Sequence, residues 1–207
     1  MTRTLLAALS LAVAGACFFA YPALRPYTDE ASLAGAGAFA SPAWILSHTL
    51  AMVGFILLVL GLLGLYGILR ETKAEPQALA ALVLTWVGVG LVLPYYGAET
   101  FALAAVGRET LQQNSVDLLV TLTDAIRFGE GVWLFGAGLL ALAAGAILFA
   151  VAIRRSGILH GWSGIPLALG FALFLPQFFT PPAVRIAHGL LVMIGCWLIA
   201  WSMTKRR

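Results

Sequence analysis

Three ionisable side chains that can exchange protons or ligate metals lie at equivalent places in three similar stretches of this 207-residue chain. Each stretch is a short turn and an apolar pair, followed by the ionisable residue at the start of a long apolar run. The stretches are 42–49 with His48, 124–131 with Glu130, and 182–189 with His188. Because charge is costly in an apolar chain, this recurring polar position is the first candidate for a functional site.

Helical spacing joins further polar residues to these three. Arg127 and Arg185 each lie three residues before the ionisable residue of their stretch, so each shares a helix face with it. Tyr95 and Glu99 are four residues apart and share a face of another helix. The sequence therefore predicts one outward-open, ligand-binding polar cavity. We expect it to be lined by His48, Tyr95, Glu99, Arg127, Glu130, Gln177, Arg185 and His188.

Composition indicates a membrane protein. Hydrophobic residues make up 61% of the chain and charged residues 10%, against about 25% charged residues in soluble domains. No basic run is longer than Lys205–Arg207, so nucleic acid is not an expected partner. Cys17 and Cys196 are far apart in apolar runs, outside any metal or redox spacing, and are interpreted as small buried hydrophobic residues.

Six apolar runs are long enough to cross a bilayer as helices, which takes roughly 20 residues each. Their predicted bounds are about 4–24, 43–69, 78–104, 130–153, 161–180 and 183–204. The first run is interpreted as a retained transmembrane helix rather than a cleaved signal peptide. The expected fold is an all-α, six-transmembrane-helix bundle that forms a single transmembrane domain over residues 1–207.

The basic residues predict the orientation of the bundle. Eight of them lie at one set of helix ends, namely Arg3, Arg70, Lys73, Arg154, Arg155, Lys205, Arg206 and Arg207. Four lie at the other ends, namely Arg25, Arg108, Arg127 and Arg185. This asymmetry predicts that both termini are cytoplasmic. Two loops, 25–42 and 105–129, then face outward, and the second is expected to contain a short interfacial helix over 116–125.

The six spans pair into three hairpins, which predicts a degenerate threefold repeat. In each returning helix a glycine follows the ionisable residue by six or seven positions, at Gly54, Gly136 and Gly195. Pro94 and Pro176 near the ends of two outgoing helices are expected to kink them and to help open a pocket.

Ion pairing offers a purely structural explanation for the charged residues. Arg127 with Glu130 would form a pair within one helix, and Glu99 with Arg185 would form a latch between helices. Helical rise places the polar residues near the outer membrane boundary, and the inner halves of the spans contain no ionisable residue. This pattern argues against a proton-coupled transporter, which needs ionisable residues along its path.

Two chemical alternatives use the same residues. His48 and His188 could ligate haem b as axial ligands, or could join Glu99 or Glu130 around a divalent metal, in a membrane redox protein. The motif Gly161-Trp162-Ser163-Gly164 resembles the GxSG motif of rhomboid intramembrane proteases, and Ala187-His188-Gly189 looks like their histidine helix. Ser163 and His188 are however predicted at opposite ends of the bundle, which disfavours this intramembrane hydrolase.

The chain also resembles, along its whole length, a family of small uncharacterised six-span bacterial integral membrane proteins. Three segments carry the resemblance: Ser47–Phe55, Gly61–Tyr66 and Tyr96–Glu99. The resemblance implies the six-span architecture and a location in a bacterial cytoplasmic membrane, and it leaves the activity open. The favoured function is therefore non-enzymatic: binding of a lipid or small apolar ligand in the outer cavity, or service as a subunit beside other membrane proteins.

Overall fold

The computed structural model describes residues 2–205, and every element in that range is helical. The elements, in order, are α1 (Thr2–Leu24), α2 (Leu33–Ala40), α3 (Pro42–Leu69), α4 (Glu75–Gly97), a π-helical turn (Ala98–Ala102), α5 (Leu103–Gln113), α6 (Val116–Phe128), α7 (Gly131–Ser156), α8 (Ile165–Ala172), a 3₁₀ helix (Pro176–Phe179) and α9 (Pro182–Thr204). Arg206 and Arg207, two of the basic residues used to predict orientation, lie outside the described residues.

Long apolar helices confirm the prediction of an all-α, membrane-type fold. Within the described range, five helical segments are long and apolar enough to cross a bilayer: Arg3–Leu24, Pro42–Leu69, Glu75–Gln113, Gly131–Ser156 and Pro182–Thr204. Large apolar side chains on their outward faces are exposed, among them Trp86 and Leu140, with 63% and 67% of their surface accessible. Such faces are suited to lipid rather than to water.

Small residues set the helix packing at the centre of the bundle. α1 packs along α3 and α9, α4 packs along α7, and α8 lies between α7 and α9. A Cβ added at Gly64 of α3 would overlap Ala7 Cβ of α1, so the two helices approach each other closely. Close approach of this kind is typical of small residues at transmembrane interfaces.

The glycines of the predicted repeat do not all have the same role. Gly54 faces Cys17 of α1, and Gly195 faces Leu167 of α8, so both contact the preceding span. Gly136 has open space around it, and Gly138 instead meets Gly88 of α4. The threefold repeat stays a prediction.

The prediction of a continuous helix over 161–180 is wrong. α8 covers only Ile165–Ala172, and a turn then leads to the 3₁₀ helix at Pro176–Phe179. Pro176 has no N–H to donate to the carbonyl of Ala172, and its ring clashes with that carbonyl in an α-helix. The predicted kink at Pro176 is therefore a full interruption of the segment.

The two predicted outer loops are largely helical. Residues 25–42 contain α2, and α4 continues through the π-helical turn into α5, past the predicted end of that span at 104. The expected helix over 116–125 is present as α6, which is longer. α2, α5 and α6 form a cap over the start of α3, and the cap has its own apolar cluster of Ala36, Phe39, Trp44, Leu103 and Leu119. This cap holds several of the polar residues described below.

Two neighbouring glycines of α4 test the helix packing. A Cβ at Gly88 would lie 2.8 Å from the backbone oxygen of Gly138 in α7, whereas a Cβ at Gly90 meets nothing within 4 Å. We expect Gly88→Ala to destabilise the protein by about 1–3 kcal/mol through overpacking. Gly90→Ala is the matched control and should stabilise by about 0.5–1 kcal/mol. Equal thermal unfolding midpoints for the two variants in detergent would contradict this packing.

Candidate functional site

A cavity of about 820 Å³ lies at one end of the bundle, beside the cap. Its wall is built from the end of α1 and the loop after it, the starts of α3, α7 and α9, the end of α4, the end of α6 and the 3₁₀ helix. We call this the cavity end of the bundle. The wall is charged on the side of the α1–α2 loop and α6, and aromatic on the side of α7 and the 3₁₀ helix.

Arg127 is the centre of the charged wall. At the end of α6, its Nε donates to Glu99 Oε1 at 2.7 Å and its Nη2 donates to Glu99 Oε2 at 3.1 Å. Its Nη1 donates to Glu30 Oε2 at 2.5 Å, and Arg25 donates to the other oxygen of Glu30 at 2.6 Å. The four residues therefore form one chain of charge-assisted hydrogen bonds that links the α1–α2 loop, the π-helical turn and α6.

The charged side chains are stabilised by one another rather than by water. Only 18% of the Arg127 side chain and 12% of the Glu99 side chain are accessible. Burial raises the pKa of the Glu30 carboxyl, but the guanidinium groups of Arg25 and Arg127 outweigh burial and hold that pKa below its ordinary value. Burial likewise opposes the charge on Arg127, but Glu99 and Glu30 outweigh it and raise the Arg127 pKa.

Trp44 and the π-helical turn hold Glu99 and Arg25 in position. The Trp44 side chain is fully buried, and its indole Nε1 donates to the backbone oxygen of Glu99 at 2.7 Å. The Arg25 guanidinium lies over the Trp44 ring at 4.7 Å and over the Tyr27 ring at 5.0 Å. Such cation–π contacts stabilise a charge that is partly removed from water. π-Helical turns like the one that carries Glu99 are frequent at functional sites.

His48 lines the cavity from α3, with only 1% of its surface accessible. Its Nδ1 lies 2.8 Å from the backbone oxygen of Trp44, which can only accept, so Nδ1 donates. In the neutral imidazole, Nε2 then carries the lone pair. The Tyr21 ring packs edge-on against the imidazole at 5.0 Å. His48 is thus held in one orientation by its own helix and by α1.

His188 and Arg185 of α9 satisfy backbone carbonyls freed by the interruption of the segment 161–180. The N–H of Phe174 bonds to Phe171, and the oxygen of Gly170 instead accepts from His188 Nε2 at 2.7 Å. Arg185 Nε donates to Thr180 O at 3.0 Å, and its Nη2 donates to Phe178 O. Since unsatisfied carbonyls are costly in a membrane, both side chains have a structural role there.

Aromatic side chains form the opposite wall. The ring of Phe135 on α7 stacks on Tyr95 at 4.2 Å and contacts Phe178 of the 3₁₀ helix at 5.8 Å. Phe179 of the 3₁₀ helix also lines the cavity, and 85% of its surface is accessible. This wall therefore continues from inside the cavity to the outer surface of the bundle.

The structure brings five of the eight predicted cavity residues together. The cavity wall includes His48, Tyr95, Glu99, Arg127 and Arg185. Gln177 and His188 line a separate small pocket between α1, α9 and the interrupted segment, where Arg185 also lies. Glu130 is exposed at the start of α7, outside both cavities.

Both predicted ion pairs are wrong. α6 ends at Phe128 and Glu130 lies beyond the break, so Arg127 does not share a helical turn with it. Arg127, not Arg185, pairs with Glu99.

Sequence reasoning missed the α1–α2 loop as a source of cavity residues. Arg25, Asp29 and Glu30 line the cavity, with Tyr21 and Tyr27 beside them. Charges that follow directly after a span were the available signal, since Arg25 and Glu30 both lie within six residues of the end of α1. Their partners Trp44 and Arg127 are distant in sequence, so spacing alone could not find these contacts.

The two histidines proposed for haem or metal do not share a cavity. His188 lines the small pocket and its Nε2 is engaged by Gly170, while His48 lines the large cavity. Within residues 2–205, no three His, Cys, Asp or Glu side chains are grouped closely enough to hold a metal ion. The arrangement therefore does not fit a bis-histidine haem or the predicted metal set.

Ser163 and His188 are far apart, as predicted from their positions in the spans. Ser163 lies three residues after His160, whose N–H donates to Ser202 Oγ near the end of α9. Ser202 is fourteen residues beyond His188 on α9, which corresponds to about 21 Å. A nucleophile and its base must lie within about 3 Å, so this pair does not have the geometry of a serine hydrolase.

No protein-family model matches the chain, and no curated protein and no solved structure shows significant similarity to it.

Proposed function

We propose that this chain is an integral membrane protein whose cavity binds an amphipathic, lipid-like molecule. One observation supports this above all: the cavity joins a charged wall to an aromatic wall that continues to the apolar outer surface. A charged wall suits a polar headgroup, and an aromatic wall suits an acyl chain. A soluble polar ligand would leave the aromatic wall unused.

The gap beside Gly136 is the proposed route into the cavity. Gly136 lines the cavity, and a Cβ added to it would meet nothing within 4 Å. Across the cavity, Leu175 and Phe179 of the interrupted segment are 42% and 85% accessible. In a bilayer these apolar groups would face acyl chains, so a lipid could enter sideways between α7 and the 3₁₀ helix.

We also propose that the chain crosses the membrane six times, with the interrupted segment 161–180 as one of the crossings. The interrupted segment runs antiparallel to α9 over most of its length, with the His160 N–H on Ser202 and the Arg185 side chain on Thr180. Arg185 and Ser202 of α9 are seventeen residues apart. This spacing corresponds to about 25 Å along the helix, which approaches the hydrocarbon thickness of about 30 Å. Carbonyls freed by the break face protein donors, which makes such a crossing tolerable in lipid.

We further propose that the cavity end faces outward from a bacterial cytoplasmic membrane, with both termini inside. The helix ends away from the cavity include Arg3, Arg70, Arg154, Arg155 and Lys205. An excess of basic residues is typical of the cytoplasmic side. The cavity would then take its ligand from the outer leaflet.

Structure determination from a lipidic mesophase doped with phosphatidylethanolamine tests the proposed function. The expected result is acyl-chain density that packs along the aromatic wall of Phe135 and Phe178. A cavity that holds only water would overturn the proposal.

A further inference from the structure

We infer that the headgroup recognised in this cavity is zwitterionic, with its phosphate on Arg185 and its ammonium on Asp29. This inference rests on the proposed binding of a lipid-like molecule and names its chemical class. Phosphatidylethanolamine is the simplest phospholipid with these two charges.

Charge pairing in the wall leaves one cation and one anion for a ligand. Six charged residues line the cavity, namely Arg25, Arg127, Arg185, Asp29, Glu30 and Glu99. Four of them neutralise one another in the Arg25–Glu30–Arg127–Glu99 chain. Arg185 and Asp29 remain, and neither forms an ion pair with any described residue. The residual charges therefore match a ligand that carries one charge of each sign.

Arg185 is positioned to bind a phosphate. Its Nε and Nη2 are fixed by the carbonyls of Thr180 and Phe178, and its Nη1 has no hydrogen-bond partner within the described part of the chain. Carbonyls satisfy its hydrogen bonds without neutralising its charge. A guanidinium held in this way loses little freedom when it binds an anion, and phosphate oxygens are among its preferred acceptors.

Asp29 is positioned to bind an ammonium group. It lies in the α1–α2 loop, and its Oδ1 accepts from the N–H of Ala31 at 3.1 Å. Its other carboxylate oxygen has no partner among residues 2–205. Tyr27, two residues earlier, also lines the cavity, and its hydroxyl is bound to Pro22 O at 3.0 Å, which anchors this part of the loop to α1.

Arg185 and Asp29 are free to bind the two ends of one ligand. Both line the same cavity, and they do not pair with each other. A headgroup that places its phosphate on Arg185 and its ammonium on Asp29 would satisfy both charges, whereas inorganic phosphate or an anionic headgroup satisfies only Arg185. The acyl chains would leave through the apolar gap beside Gly136.

Headgroup preference can be measured by native mass spectrometry after the full chain is reconstituted in bilayers of phosphatidylethanolamine and phosphatidylglycerol, equal in amount and matched in acyl chains. We expect wild type to retain phosphatidylethanolamine over phosphatidylglycerol by roughly tenfold, the effect of about one charge-assisted contact. Asp29→Asn keeps the acceptor for Ala31 and should bring this ratio close to one, because only phosphatidylethanolamine loses a charge-assisted contact. Asp124→Asn, an exposed residue of α6 outside the cavity, is the matched control and should leave the ratio unchanged.

A second variant tests the phosphate contact. Arg185→Gln should lower the retention of both lipids by roughly tenfold. Since this change could also loosen the 3₁₀ helix, Arg185→Lys serves beside it, because it keeps the charge and should restore part of the retention. Equal retention of the two headgroups by wild type, or an unchanged ratio in Asp29→Asn, overturns the zwitterionic inference while the proposed function stands. If wild type retains no lipid, the zwitterionic inference and the proposed function both fail.

A soluble ligand of the same chemistry is distinguished by competition. Glycerophosphoethanolamine carries the same two charges without acyl chains, so it should not displace the retained lipid at equal concentration. Full displacement would mean that the cavity selects a water-soluble ligand, and would overturn the assignment to a lipid.

Discussion

Arg127→Ala is expected to lower the thermal unfolding midpoint by roughly 6–12 °C, which corresponds to about 3 kcal/mol for a chain of this size. The variant leaves the Glu99 carboxylate, whose side chain is 12% accessible, without its cation, and deprives Glu30 of one of its two guanidiniums. Removal of one partner from a buried pair is strongly destabilising, because the remaining charge stays out of water. Circular dichroism in detergent during a thermal ramp measures the shift.

The matched control for this prediction is Arg108→Ala. Arg108 is an exposed residue of the cap, and no ion pair of the described chain involves it. Its removal should change the midpoint by less than about 2 °C, as expected of a surface substitution. In a second arm, Glu99→Gln combined with Arg127→Ala should recover part of the loss, because the unpaired charge is removed. Equal midpoints for Arg127→Ala and Arg108→Ala would show that the charged wall does not hold the cap in place.

Gly136→Phe is expected to abolish lipid binding while the fold is kept. The new ring would occupy the open space beside Gly136 and would block the gap between α7 and the 3₁₀ helix. Loss of contact with only two methylenes of an acyl chain costs about 1.6 kcal/mol, or more than tenfold in affinity. Native mass spectrometry of protein released from phosphatidylethanolamine bilayers should show the loss of the retained lipid.

Gly90→Phe is the control, since it adds the same ring at an exposed position of α4 where a Cβ also meets nothing within 4 Å. Gly90 does not line the cavity, so this variant should retain lipid as wild type does. If both variants retain lipid equally, the gap beside Gly136 is not the route and the cavity is not the binding site.

Helix length and apolar content were sufficient to predict most of the bundle. α1, α3, α7 and α9 begin and end within a few residues of their predicted bounds. Apolar runs of this length have few other stable structures, so the pattern is informative. α8 could not be predicted in the same way, because an apolar run does not report whether a proline will bend or break its helix. The break depends on His188 and Arg185, which supply donors from a different helix.

The cavity was only partly predictable because its polar contacts join residues far apart in sequence. His48, Glu99 and Arg127 were found from their place near the ends of spans, which is a local property. Pairing was not local: Arg127 contacts Glu30, ninety-seven residues earlier, rather than Glu130 beside it. The helix is interrupted at 129–130, between α6 and α7. The i, i+3 spacing of a continuous helix therefore does not bring Arg127 and Glu130 together.

The lipid content of the cavity is tested most directly by the structure of the full chain crystallised from a mesophase doped with phosphatidylethanolamine. The predicted result is continuous, elongated density that begins at Arg185, passes along the rings of Phe135 and Phe178, and leaves beside Gly136. Its polar end should lie within hydrogen-bond distance of Arg185 Nη1 and of Asp29. Ordered water alone in the cavity, with lipid density confined to the outer faces of the bundle, would contradict the proposed function.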